Sequence, residues 1–170
     1  MNTKKFGWVA CLIGGALGGL SCLSLKSMPA GDLVSVEYTK SGTMAGYIYE
    51  GHVEPDSAGG FVIRAMKENY GPLYGKKIDA EDLQKFRDII KEEKMYKYKE
   101  RYLPLMKVLD GWSWSFTARF SDGSTISSYG SNARPKDDGL DRIRGYMEEL
   151  IEDGVLIEDP SDDQKNDSMN

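Results

Sequence analysis

The sequence predicts an α+β fold, a mainly antiparallel five-stranded sheet in the order β-β-β-α-β-β-α with two helices on one face. Three observations predict it. Residues 112–120 alternate without a break: Trp112, Trp114, Phe116, Ala118 and Phe120 are apolar, while Ser113, Ser115, Thr117 and Arg119 between them are polar. Period 2 over nine residues requires a strand with one buried face, and three large aromatics make that strand the anchor of a small core. Two other stretches carry apolar residues at helical spacing, Leu83, Phe86 and Ile90 beside Ile89, and Leu140, Ile143, Met147 and Leu150. The remaining alternating runs are separated by short turn signals, as in an antiparallel meander covered on one side.

The elements follow in order. Residues 33–39 alternate through Val34, Val36 and Tyr38, and residues 43–53 through Ala45, Tyr47 and Tyr49. A two-residue turn at Ser41-Gly42 would set Val36 opposite Tyr47 and Tyr38 opposite Ala45, an apolar register. A break at residues 54–60 precedes a third strand over 61–69, apolar on both faces. Residues 70–75, with Gly71, Pro72 and Gly75, read as a loop. Asp79 then caps a helix with Asp82 three residues on, and Ile78 before the cap is placed to pack on Leu83. That helix fades near Lys94 into a stretch of lysines and tyrosines, which reads as a solvated helix end whose tyrosines pack down under lysine stems.

After residues 112–120 comes Ser121-Asp122-Gly123-Ser124, a hairpin signal. A two-residue loop would put Ile126 opposite Arg119, whereas a three-residue loop with a left-handed Gly123 puts it opposite Ala118 on the apolar face. Burying an isoleucine is worth roughly 1.5–3 kcal/mol, which selects the three-residue loop. The last helix is capped by Asp137 or Asp138 and stopped by Gly154.

The chain's ends differ from its body. Lys4 and Lys5 are followed by an uncharged run that lasts until Lys26, the pattern of a secretory signal. Its end, Gly18-Gly19-Leu20-Ser21-Cys22, resembles the lipobox of bacterial lipoproteins, although that family favours leucine where Gly19 stands. The resemblance implies that residues 1–21 are removed as a signal peptide and that Cys22 becomes a lipidated N-terminus. Leu23 after the cysteine would direct such a lipoprotein to the outer membrane. Cys11 would be lost with the signal, so no intramolecular disulfide would remain. Two rivals stand beside this reading. One is a plain secretory signal cleaved elsewhere. The other is an uncleaved anchor, because residues 6–25 are long enough to span a bilayer and Gly14, Gly18, Gly15 and Gly19 have small-xxx-small spacing.

These boundaries divide the chain into a signal (1–21), a lipidated tether (22–32), one domain (33–154) and a disordered acidic tail (155–170). Without Lys4 and Lys5 the formal charge moves from −5 to −7, and six of those negative charges follow Ile151 (seven acids against Lys165). The body is therefore near −1 and has no field that calls for nucleic acid.

Candidate chemistry is sparse. A nucleophile needs a base, and the only histidine is His52, on a predicted strand face that it shares with Glu50 and Glu54. One histidine without a free mature cysteine gives no metal set, and no cofactor motif is present. Carboxylates are plentiful, but nothing selects a catalytic pair. Trp112 and Trp114 lie in phase with Phe116 and Phe120, as core residues do.

Around Asp122, Gly123, Gly130, Asn132 and Pro135 the chain is similar to small exported bacterial proteins of an uncharacterised family, over residues 114–140. Asn132 and Tyr129 lie in or beside the loop that follows, where binding residues concentrate. The resulting expectation is a lipid-anchored envelope protein, with its domain outside the cytoplasm and attached to the membrane through Cys22. Its small non-catalytic domain would meet an envelope partner or ligand on the sheet face away from the helices, through Glu37, Ile48, Glu50 and His52, or in the 129–135 loop, through Tyr129 and Asn132. The alternatives are a carboxylate-dependent envelope hydrolase and an uncleaved single-pass protein.

Overall fold

The computed structural model describes residues 26–42, 46–106, 108 and 111–158. The elements run β1 (Leu33–Gly42), β2 (Gly46–Pro55), β3 (Phe61–Met66), β4 (Leu73–Ile78), α1 (Ala80–Glu92), β5 (Arg101–Tyr102), β6 (Trp112–Phe120), β7 (Thr125–Ser131), α2 (Gly139–Leu150) and β8 (Val155–Glu158). The expected α+β class holds, with two helices on a sheet, but the sheet is larger than five strands and is mixed. Eight strands lie in the order β5-β7-β6-β1-β2-β3-β4-β8. Every neighbouring pair is antiparallel except β5 and β7, which are parallel.

Each extra strand has a local reason for having been missed. Gly71 and Pro72 obscure β4, because the turn closes just before it, where Tyr70 adopts φ 58° and donates its N–H to Ile48 O. Gly75 lies directly under the Ile157 side chain of β8, whose Cδ1 would be 2.2 Å from a Cβ at that position, so glycine lets Ile157 rest on β4 in this rotamer. Strand β5 is two residues long and has no periodicity to detect. Strand β8 is embedded in acidic sequence, so the described fold continues through 158 and the expected disorder does not apply to 155–158. Residues 159–170 lie outside the described residues.

The β1–β2 register also differs from the expectation. Val36 faces Val53 and Tyr38 faces Gly51, six positions further along β2, with an irregularity at Lys40/Ser41. Ser41 and Gly42 continue the strand, and Gly42 pairs with Gly46. Side-chain volume explains this choice. Tyr38 and Tyr49 share the buried face with ring centroids 5.8 Å apart, and Gly51, opposite Tyr38, leaves room for the Tyr49 ring and for Met147 of α2.

The Asp122 hairpin follows the expected register, Ala118 opposite Ile126, with Gly123 at φ 82° and Ile126 buried. The α1 capping box forms as expected: Asp79 accepts from the N–H groups of Glu81 and Asp82, and the Asp82 carboxylate accepts from Asp79 N. At α2, Asp138 is the cap residue by position, but Asp137 Oδ1 accepts the Gly139 N–H at 3.1 Å and a hydrogen bond from Tyr98 Oη. Burial, and then the neighbouring Asp137 carboxylate, raise the Tyr98 hydroxyl above its ordinary pKa. Helix α2 ends at Leu150, before Gly154.

Both helices pack on the face that carries Val36, Tyr38, Tyr49, Val53, Ile63, Trp114, Phe116 and Phe120, and there they bury Phe86, Ile90, Ile143 and Met147. The described part of the expected tether, residues 26–32, is docked on the domain. Gly31 N donates to Asp122 Oδ2, Asp32 N donates to Ser121 Oγ, and Lys26 Nζ donates to Tyr98 O at 2.7 Å. Among the described residues no helix is long and apolar enough to cross a membrane.

Candidate functional site: the open sheet face

A strand sends alternate side chains to opposite faces, so the residues between the core positions form a second surface. Among the described residues that surface carries no helix. Its centre follows from the registers: His52 on β2 lies between Glu37 on β1 and Arg64 on β3. His52 Nε2 and Glu50 Oε1 are 2.7 Å apart, an imidazole–carboxylate hydrogen bond between half-buried side chains. Arg64 pairs with Glu54 on the neighbouring strand. The Glu37 carboxylate has no hydrogen bond or ion pair among the described residues. The result is a ribbon of three acids, one imidazole and one guanidinium across three strands.

Toward β7 the same face becomes a field of hydroxyls. Thr39 Oγ1 and Ser115 Oγ share a hydrogen bond of 2.8 Å, and Ser41 Oγ and Ser113 Oγ share one of 2.9 Å. The cross-strand row Tyr129–Ser115–Thr39–Glu50 joins the two regions. Tyr129 and Glu50 are thus three strand spacings apart, about 14 Å. Tyr129 is 42% exposed and lines a shallow cleft of about 290 Å³ with Ser41, Ser113, Ser131, Val108 and Asn132.

The expected residues therefore divide by role. Glu50 and His52 are brought into direct contact, and Tyr129 offers a ring at the end of their row. Asn132 faces the cleft but is already engaged by the backbone. It sits at φ 48°, its Oδ1 accepts the Trp112 N–H at 3.0 Å, and its own N–H donates to Trp112 O. This makes it a turn residue. Cys22 lies outside the described residues. The two tryptophans separate as the alternation requires: Trp114 is buried and its Nε1 donates to Ala133 O, whereas Trp112 is half-buried under Lys40 Nζ, 5.3 Å from its ring.

Arg64 and the hydroxyl field are functional candidates that the sequence reading did not single out. The signal was present in Ser113, Ser115 and Thr117, whose alternation marks a solvent face as plainly as the tryptophans mark the core. Chemically, the face offers anionic acceptors, a hydrogen-bonded imidazole and many neutral donor–acceptor groups. No hydroxyl is bonded to the His52 ring, and no group of three or more metal-ligating side chains converges among the described residues. No protein-family model, curated protein or solved structure matches this chain.

Proposed function

We propose that this chain is a lipid-anchored protein of the bacterial envelope whose small domain binds a partner or ligand on its open sheet face and performs no catalysis. The observation that carries the binding reading is the contrast between the two faces of the sheet. One is filled by α1 and α2, while the other displays Glu37, Glu50, His52, Glu54 and Arg64 beside the Ser/Thr field, with no element over them among the described residues. A broad polar surface with an unpaired carboxylate recognises by hydrogen bonds and charge, and it lacks the enclosure that chemistry on a small molecule needs. The anchor reading rests on the lipobox-like Gly18–Cys22 segment and is supported by the docking of Lys26, four residues beyond Cys22, onto the domain.

Photocrosslinking in growing cells tests the face. A photoreactive amino acid replaces Thr117, which lies between Glu37 and Ser127 on the open face, or Gln84 on the exposed side of α1. A discrete adduct from position 117, absent from position 84 and weakened by Arg64→Glu, is the expected result. Equal adducts from both positions, or none from 117, would contradict it.

A further inference from the structure

Between β5 and β6, residues 103–106 and 108 include the two most exposed large apolar side chains among the described residues. Leu105 is fully exposed, Met106 is 81% exposed, Leu103 60% and Val108 47%. Single exposed apolar residues need no explanation, but four within six positions mark a contact surface. We infer that this loop seats on an anionic lipid bilayer, as the second attachment of a chain whose first is the membrane anchor proposed above.

Three features identify lipid as the occupant. First, the residues around the tip are ordered as a membrane interface requires. Tyr129 and Val108 line one cleft, and Tyr47, also exposed, lies opposite Ser41 at the same end of the sheet. Tyrosine rings favour the headgroup level, above an inserted apolar tip. Leading into the loop are exposed Lys97, Lys99 and Arg101 against Glu100, a net charge of +2 beside the tip that suits an anionic surface.

Second, the chain's N-terminal path leads to this end. Gly31 and Asp32 are held at the Asp122 turn, but Lys26 reaches Tyr98 O, next to Lys99, whose carbonyl accepts from Ser128 Oγ. From 32 back to 26 the backbone thus travels along the β7 edge toward the loop. Residues 22–25 extend at most about 14 Å beyond it, and residues 6–25 carry no charge. An anchor on this segment keeps the β5 edge near the bilayer.

Third, a protein partner needs more surface than the loop offers. A standard interface uses roughly 20–30 residues a side, whereas insertion at a bilayer boundary is effective with a few apolar groups and adjacent cations. Seated this way, strands β1, β2, β6 and β7 end at the membrane, and the polar sheet face stays open to the side.

The test uses the full chain reconstituted into vesicles of phosphatidylethanolamine and phosphatidylglycerol, with attachment read by flotation. An environment-sensitive fluorescent amino acid replaces Leu105 or, as a comparison, Ala58 in the exposed β2–β3 turn at the other end of the sheet. The expected result is blue-shifted emission at 105 and its loss when the lipids carry brominated chains, with neither effect at 58. A floating chain whose position 105 remains aqueous overturns the loop contact and leaves the anchor standing. Shielding at 105 without bromine quenching also overturns it, since another copy or protein would then cover the loop. A chain that does not float overturns the contact and the anchor together.

Discussion

Replacing Trp114 and Trp112 separately tests the two-faced strand on which the fold is built. Trp114 is 2% exposed, stands 5.8 Å ring to ring from Tyr102 and donates to Ala133 O at 2.8 Å. Gly130 lies so close beneath it that a Cβ would approach Nε1 to 2.1 Å, so the indole fills a site that cannot collapse freely. Truncating a buried tryptophan to alanine costs about 3–5 kcal/mol. At about 3 °C per kcal/mol for a domain of this size, the Tm of Trp114→Ala falls by about 12 °C. Trp112 is half-buried, and its contact with Lys40 is an exposed cation–π pair worth about 0.5–1 kcal/mol. Trp112→Ala should therefore lower the Tm by no more than about 5 °C. Trp114→Phe keeps most of the volume but leaves the Ala133 carbonyl without its donor, a loss of about 1–2 kcal/mol. Thermal unfolding followed by far-UV circular dichroism on the detergent-purified chain reads all three. Equal losses at 112 and 114, or a loss below about 1 kcal/mol for Trp114→Ala, would refute the assignment of faces.

Other regions give independent tests. Hydrogen bonds from Ser124 and from Gly31 N hold the Asp122 carboxyl at about 2 against an ordinary 3.8. Because the folded value is depressed, its contribution to stability is present above the ordinary value and is lost as pH falls from about 4 to about 2. Asp122→Asn should flatten that part of an acid-unfolding curve, and an unchanged curve would contradict the hydrogen bonds to this carboxylate, those of Ser124 above all. Gly75→Val would press on the half-exposed Ile157 side chain and turn it aside, and it should speed hydrogen exchange of the 155–158 amides more than of those in α2, whereas exchange unchanged at 155–158 would contradict the β4–β8 contact. His52→Ala and Glu37→Gln, on the solvent face, should each change stability by no more than about 0.5 kcal/mol in chemical denaturation, since neither fills the core. A loss of several kcal/mol at either would mean that the face is structural.

The parts of the fold legible in the sequence are those governed by local rules. Period 2 in residues 112–120, the Asp79 capping box, the α2 stripe and the volume argument for Ile126 each rest on neighbours along the chain or on one hairpin. The parts that escaped depend on distant partners. Val155–Glu158 becomes a strand by pairing with β4, some eighty residues earlier in the chain, where Gly75 lies against Ile157. The β1–β2 register was misjudged because alignment of apolar residues favoured Val36 opposite Tyr47, while the packing of Tyr38, Tyr49 and Gly51 outweighed that match. The candidate site divides in the same way. Glu50 and His52 share a strand face by spacing alone, so their pairing was foreseeable. Glu37 falls on the same face by alternation within its own strand, while Arg64 joins only through cross-strand register, and Asn132 lines the cleft and also holds the Trp112 backbone.

Whether lipid on Cys22 holds this chain in the envelope, as proposed, is decided by the intact mass of the membrane-extracted chain, wild type beside Cys22→Ala. The expected wild-type mass is that of residues 22–170 plus a lipid, and the variant should lack that species. A full-length mass unchanged by the substitution would contradict the proposal and assign the uncharged N-terminal run to an uncleaved membrane anchor.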